Sequence, residues 1–591
     1  MILRIIHAKL VKREENQTKS IENFAYLCEN DSMITVFCKN TGTTKEFSEG
    51  VYLFEILEQF QSQFSHPYQI VSAKVNNVSQ GLRYKAYNSN TVEFLDVRSS
   101  SGMRVYFRSL CFLLCKATHD VVPGGRVYLE HPIANGYYCN LRKKGREKLT
   151  DDDVARIKAR MRELVGQDIQ FHRHDAPTEE VVKMFAKHGY DDKVKLFETS
   201  EEVYTEYYTL DDFADYYYGR LVPSSGYLKL WELEKYHEGM LLRLPDRHNP
   251  ERIVSRISQP KTFGVFTENL RWNIIMGLGN VGDVNRACLS GHASELIQVA
   301  EALQEKKIVQ IAETIARRTR KRENPCRVVL ITGPSSSGKT TFCRRLSVQL
   351  KACGLHPLAF STDDYFVNRV DTPRLPDGKY DFDNFETVDH VYLESDVVKL
   401  LAGESVEVPS YNFVTGEREY KGHKLRLSRG SVLLIEGIHA LNPALLPSVD
   451  DACKYRVFIN TLTSTSLDNH NSIPTSDNRL LRRIVRDYNK GAFTAVETIS
   501  QWPSVCDAEE KWILPFQEQA DVMFNSAYLL EFAVMRNHAE QILRTVPKNR
   551  SEYSEAHRLL KFIRYFTPVS DKEIPPTSLL REFVGGSSFN L

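Results

Sequence analysis

The stretch Arg327 to Leu350, RVVLITGPSSSGKTTFCRRLSVQL, limits what the chain can be more than any other. Val328 to Ile331 is an apolar run that reads as a buried strand. Gly333, four spacers, then Gly338, Lys339 and Thr340 follow it in the G-x-x-x-x-G-K-[ST] pattern of a phosphate-binding loop. Thr341 to Leu350 is helix-compatible and stops near Gly354. Strand, loop and helix in this order turn backbone N–H groups and a helix N-terminus toward an anion. The candidate nucleotide-binding residues are Gly333, Pro334, Ser335, Ser336, Ser337, Gly338, Lys339, Thr340 and Thr341. Lys339 is expected to meet the β- and γ-phosphates of ATP, and the Thr340 hydroxyl to reach Mg²⁺.

A chain of 591 residues is too long for one hydrophobic core, so several domains are expected. Lysine and arginine number 77 against 76 acids, which leaves no global field to recruit nucleic acid or a membrane. No stretch approaches 18 consecutive apolar residues, and Arg4 and His7 interrupt the N-terminus before a signal-peptide core can form. The 11 cysteines, scattered from Cys28 to Cys506 without a C-x-x-C pair, read as reduced thiols of a cytoplasmic protein.

Two further strands of the C-terminal half end in acids. PLAFSTDDYF presents Asp363, a candidate general base, and SVLLIEGIHAL ends its apolar run at Glu436, where an acid can hold Mg²⁺. Asp389 is placed to cap a helix that stops at Gly403. Upstream, GLGNVG matches a dinucleotide fingerprint in form but lacks a clean strand and helix around it. Leu296, Ala300, Leu303, Ile308, Ile311, Ala312 and Ile315 then recur at helical spacing, and the helix ends in RRTRKR, cations that suit its C-terminus.

Residues 33–98 read as a small mixed unit of strands and one helix, and resemble the TGS domain of threonyl-tRNA synthetases. The following segment, with HPIANGYYCN at 131–140 and DFADYYYGRLVPSSGYLKLWEL from Asp212, resembles the second additional, editing domain of those enzymes. The four side chains of that domain's hydrolytic cluster fall on Arg108, Phe112, Tyr217 and Leu221. Phe and Leu offer no donor atom, so neither editing nor zinc binding is expected there. Cys111 and Cys115, one helical turn apart in LCFLLCKA, read as core residues.

The C-terminal half resembles the uridine kinase/phosphoribulokinase family. GPSSSGKTT, STDDYF, YDFDNFETVD, VPSYNFVTGER, IEGIHAL and RRIVRD stand in the order of that family's motifs. The resemblance implies ATP and Mg²⁺ on Lys339 and Thr340, with Asp363 as base and Glu436 at the metal. It also implies Arg483 and Arg486 near the phosphates, and Asp383 and Tyr411 on a nucleoside. Two departures touch the acceptor pocket: the family's base-contacting histidine is Gly416 here, and an arginine falls near Ala492. The insertion at 466–479 offers Asp468, His470 and Arg479 to rebuild that pocket.

The expected architecture is multidomain. It comprises an extension or edge strand (1–32), a TGS-like domain (33–98), an editing-like domain (99–240) and a helical connector (241–325). An α/β P-loop domain with a parallel sheet flanked by helices (326–548) and a tail (549–591) follow. The N-terminal domains are expected to be α+β. The expected reaction is ATP-dependent phosphorylation of the 5′-hydroxyl of uridine or cytidine. A different polyol or phosphosugar acceptor remains open, as does an RNA- or ligand-binding regulator in which ATP drives a switch.

Overall fold

The computed structural model describes residues 32–66, 68–375 and 378–590. The extension or edge strand expected for 1–32 falls, but for its last residue, outside them.

The first unit is a five-stranded sheet under one helix. Its elements are β1 (Met33–Cys38), β2 (Thr43–Ser48), α1 (Leu53–Phe60), β3 (Ser72–Val75), β4 (Val78–Gln80) and β5 (Asn90–Leu95), with strand order β2-β1-β5-β3-β4. Alternate residues of β1 are buried, and Val36 packs with Leu53, Ile56 and Phe60 of α1. That period of two is what one-faced burial of a strand requires.

The second unit is built on α2 (Ser100–Val121), which begins where the Ser99 hydroxyl accepts the Gly102 N–H. The hairpin of β6 (Arg126–Ile133) and β7 (Gly136–Arg142) leads through α3 (Asp151–Gln167) to β8 (His172–Pro177). Next come α4 (Thr178–Lys187), α5 (Asp191–Glu198), β9 (Tyr204–Leu210), β10 (Phe213–Asp215), β11 (Glu232–Tyr236) and β12 (Gly239–Arg243). The strands form two sheets, β11-β12-β7-β6 and β8-β9-β10. Phe112 of α2 meets Phe171 and Phe213 edge-on, with centroids 5.4 and 5.7 Å away.

Three helices connect the halves: α6 (Pro260–Ile275), α7 (Val281–Leu289) and α8 (Ala293–Thr319). The GLGNVG stretch is a helix-to-helix turn in which Gly277 takes a φ of 66° and the Asn280 side chain caps α7.

The C-terminal half holds β13 (Val328–Thr332), α9 (Lys339–Ala352), β14 (His356–Ser361), α10 (His390–Leu401), β15 (Ser431–Glu436) and β16 (Lys454–Asn460). It continues with α11 (Thr475–Asn489), α12 (Ala495–Trp512), β17 (Val522–Asn525), α13 (Glu531–Arg544), α14 (Tyr553–Ile563) and the single turn α15 (Arg581–Val584). The sheet is parallel in the order β14-β15-β13-β16-β17. Burial on both faces explains why β13 is apolar from Val328 to Ile331. Val328 and Leu330 face a core closed by α10, whereas Val329 and Ile331 face one closed by α8 and α9. Residues 549–590 are folded onto the molecule: Leu559, Phe562, Leu580 and Phe583 are buried in a core shared with α11 and α13.

Candidate functional site

The C-terminal ends of β13, β14 and β15 define one edge. Glu436 stands in register with Ile331 on one neighbour and Ser361 on the other, so loop, acid and the Asp363 segment converge. After β13 the chain crosses β16 so closely that a Cβ on Gly333 would lie 2.1 Å from the Ile459 carbonyl oxygen. Gly338 takes a φ of 86°, and Ser336, though not glycine, takes 58°. A left-handed serine stores strain of about 1–3 kcal/mol, which the surrounding contacts must sustain.

Those contacts come largely from α11. Arg479 donates to the Ser335 carbonyl at 3.1 Å and to Glu509 at 2.6 Å, and Glu509 also accepts the Ser335 N–H at 2.8 Å. Arg482, fully buried, donates to the Ser336 carbonyl at 3.3 Å, to the Ser526 carbonyl at 2.9 Å and to Glu531 at 2.8 Å. Drawing the loop carbonyls toward α11 leaves the hydroxyls of Ser336 and Ser337 buried without a partner among the described residues.

The charged groups of the loop form one cluster. Lys339 reaches the Pro334 carbonyl at 3.1 Å, and the Thr340 hydroxyl donates to Glu436 at 3.2 Å. Burial pushes the Lys339 ammonium down despite Glu436 and Asp363 beside it. Burial also pushes Asp363 up, with Lys339 opposing, and raises Glu436 to about 7, where the Asp363 charge adds to burial. The Ser361 hydroxyl accepts the Asp363 N–H at 3.2 Å and fixes the turn that carries the carboxyl.

Asp383 is raised to about 6 by burial, and Arg483 is its chief opposing charge. Arg483 itself donates to the Ser335 hydroxyl at 3.0 Å. Arg486 instead pairs with its neighbour Asp487 at 2.8 Å, and among the described residues no hydrogen bond carries it to the loop. Tyr411 stacks edge-on with Phe366 and Phe413, its buried hydroxyl unpartnered among the described residues. Gly416 takes a φ of 78°, and Arg369 covers it so closely that a Cβ there would lie 2.7 Å from the Arg369 Cβ.

The insertion does not rebuild this pocket as expected. Arg479 turns to the loop, whereas Asp468 and His470 enter the second unit. His470 meets Asp215 at 2.7 Å, and Lys193 lies 3.1 Å from Asp215 and 3.3 Å from Asp468, all fully or nearly fully buried. The Asn469 N–H donates to Asp192, and its carbonyl accepts the Leu129 N–H. The physical reason is charge: Lys193 and Asp215 are buried in the second unit, and the insertion supplies counter-charges.

Cys115, Asp215 and His470 offer ligand atoms within 4.8 Å of one another. The Lys193 ammonium and the His470 imidazolium, which Asp215 holds in its charged form, together offset the Asp215 and Asp468 carboxylates and make the cluster an ionic seam between the halves. Of the expected remnant positions, Phe112, Tyr217 and Leu221 are core residues, and Arg108 donates to the Arg220 carbonyl at 3.0 Å.

One more side chain reaches the loop. Glu582 of α15 accepts both the backbone N–H and the hydroxyl of Thr341, at 3.2 and 2.7 Å. Sequence reasoning missed Arg482, Glu509 and Glu582. The first sits in RRIVRD one position from Arg483 and shares its helical turn, but the two acids lie in segments without a motif.

Residues 328–529 match the model of the phosphoribulokinase/uridine kinase family. The N-terminal third is similar to threonine–tRNA ligases. That of Marinobacter nauticus is 28% identical over 195 residues, 33% of this chain and 30% of the ligase, so the chain spans under a third of that relative. Among solved structures, a putative fructose transport system kinase from Silicibacter sp. TM1040 is 16% identical, covering 36% of this chain and 98% of that one, with a TM-score of 0.28. A possible uridine kinase from Bacillus stearothermophilus is 20% identical, covering 37% and 98%, with a TM-score of 0.26. The chain thus joins a synthetase-like N-terminal region to a P-loop region of kinase-family type.

Proposed function

We propose that the C-terminal half is an ATP-dependent kinase that transfers the γ-phosphoryl group to a hydroxyl of a small metabolite. The observation that carries this reading is the convergence of Lys339, Thr340, Glu436 and Asp363 at one sheet edge, with Thr340 and Glu436 joined at 3.2 Å. The family match over 328–529 supports the same chemistry.

The hydroxyl and carboxylate oxygens at that edge are hard donors of the kind Mg²⁺ takes, and the Ser336 and Ser337 hydroxyls, without a partner among the described residues, leave polar capacity for phosphate. Thr340 and Glu436 would hold the ion, which supplies charge neutralisation on the phosphate oxygens when bound. Lys339 counters the charge of the transferring group. Asp363, raised by burial, is a carboxylate whose basicity is closer to neutral pH than a solvated one, and it takes the acceptor hydroxyl proton. Arg483, at the Ser335 hydroxyl, is near enough to the loop to stabilise the transferring oxygens.

A pyrimidine nucleoside, phosphorylated at its 5′-hydroxyl, is the first acceptor to test, with Asp383 and Tyr411 along its path. A different polyol or phosphosugar is the second, motivated by Gly416 standing where the resembled family has its base-contacting histidine; Arg369 packs over that glycine and donates to the Phe413 and Val414 carbonyls. The test follows phosphorylated product directly with Mg²⁺ and ATP over a panel of nucleosides and sugar phosphates, in wild type and Asp363→Asn. Product formation that falls about 10²- to 10⁴-fold in Asp363→Asn supports a kinase with this base. No phosphorylated product from any acceptor would defeat it.

A further inference from the structure

Thr341 is the third residue of α9, counting from Lys339, and its N–H is among the donors a helix start leaves without an intrahelical partner. In a G-x-x-x-x-G-K-T loop such donors cradle the α- and β-phosphates. Here the Glu582 carboxylate takes both the N–H and the hydroxyl of Thr341 through one oxygen, at 3.2 and 2.7 Å. A carboxylate at a helix N-terminus is held by the same partial charges that hold a phosphate.

The contact is part of a built arrangement. Leu579, almost fully buried, lies over the loop itself: a Cβ on Gly338 would be 3.0 Å from its Cδ2. Phe583 presents its ring 4.8 Å from the guanidinium of Arg482, the residue that grips the Ser336 carbonyl, and Asn489 of α11 donates to the Phe583 carbonyl at 3.2 Å. The turn that aims Glu582 is locked by Arg581, which donates to the carbonyls of Asp571 and Ile574 at 2.6 and 2.8 Å.

Resting on the reading of this loop as an ATP site, we infer that the segment from Leu579 to Val584 is a cis-acting occupant of that site, with Glu582 standing where the nucleotide's α-phosphate docks. Nucleotide and Glu582 compete for one pair of donors and repel one another, so ATP enters only as α15 lifts from the loop. The arrangement restrains the kinase through its own C-terminal segment. The segment is anchored from upstream: α14, which precedes it, rests on the second unit through Arg104 and Glu555 at 2.7 Å, and on α11 through Arg558 and Asp477 at 2.6 and 2.8 Å.

The experiment measures affinity of the full chain for Mg²⁺ with a non-hydrolysable ATP analogue, and for inorganic triphosphate, by titration calorimetry in wild type, Glu582→Gln, Glu582→Ala and Lys339→Ala. Losing a charge-assisted competitor should tighten both ligands about tenfold in the two Glu582 variants. The melting temperature of ligand-free Glu582→Ala should fall at the same time, because α9 loses a cap. Tighter binding from a less stable protein is a combination that a merely structural role for Glu582 does not give. Equal or weaker binding in both Glu582 variants, with wild type binding and Lys339→Ala not, overturns the inference and leaves the nucleotide site standing. Absence of binding in every variant, Glu582→Ala included, removes the nucleotide site and the inference together.

Discussion

Asp215 of the synthetase-like region and His470 of the kinase-like region meet at 2.7 Å, each more than nine-tenths removed from solvent, across 255 residues of sequence. Burial works against the imidazolium, yet the Asp215 charge prevails and holds His470 well above its usual range, while His470 and Lys193 keep Asp215 down at about 2 despite its burial. The seam between the halves is therefore ionic at its centre, and its strength depends on protonation.

A raised histidine stabilises the fold fully below its unfolded value, about 6.5, and the contribution is lost as pH rises through the higher folded value. The melting temperature of His470→Gln should lie well below that of wild type at pH 6, and the gap should narrow in alkaline buffer. A gap that widens with pH would contradict the pairing.

Glu436 follows the same pH direction for a different reason, since it is the uncharged form that its buried setting favours. Its carboxyl is held up at about 7, so the protonated form is favoured in the folded state; the stability this confers is present below the unfolded value, 4.5, and declines as pH rises through about 7. Glu436→Gln should melt about 2–4 °C higher than wild type at pH 8, equal to it at pH 4.5, and transfer phosphate far more slowly. Scanning calorimetry at the two pH values, with a product assay, checks both halves of the statement.

Arg482→Met leaves Glu531 buried without its charge partner and releases the Ser336 carbonyl. Breaking a buried pair costs about 3–5 kcal/mol, so a large fall in the chemical-denaturation midpoint is expected, together with weakened nucleotide binding. Retention of wild-type affinity would show that the loop holds its shape without α11.

Gly416→His should not restore a pyrimidine pocket. The backbone there has a φ of 78° and the Arg369 stem fills the space, so the variant should lose about 1–2 kcal/mol of stability without gaining rate on uridine.

What the sequence made legible is the part governed by local rules. The apolar run, the glycines and the Lys-Thr pair of 328–341 define strand, turn and helix start within one short segment, and Glu436 and Asp363 follow because strands of a parallel sheet end at the same edge. Less legible was where long side chains go. Arg483 and Arg486 share a helix with Arg479 and Arg482, yet it is Arg479 and Arg482 that grip the loop carbonyls, because the rotation of α11 is fixed by its packing against α12, α13 and α15. Asp468 and His470 were expected in the acceptor pocket; their destination depended on Lys193 and Asp215, buried in another unit and unremarkable in sequence. Glu582 lies in PPTSLLREFVGG, which reads as a turn, a short helix and a glycine stop and does form a helical turn, but nothing local to it points to the loop.

The seam also governs how the molecule can be taken apart. A cut at the connector would leave Lys193 and Asp215 facing a water-filled scar on one fragment, and Asp468 and His470 on an unsupported loop of the other. Each piece would begin life with a polar wound where the whole chain has a sealed joint. Fragments made to assign a role to either half would thus report the damage of separation along with the role, whereas single substitutions at the seam keep both halves whole while loosening their grip on each other.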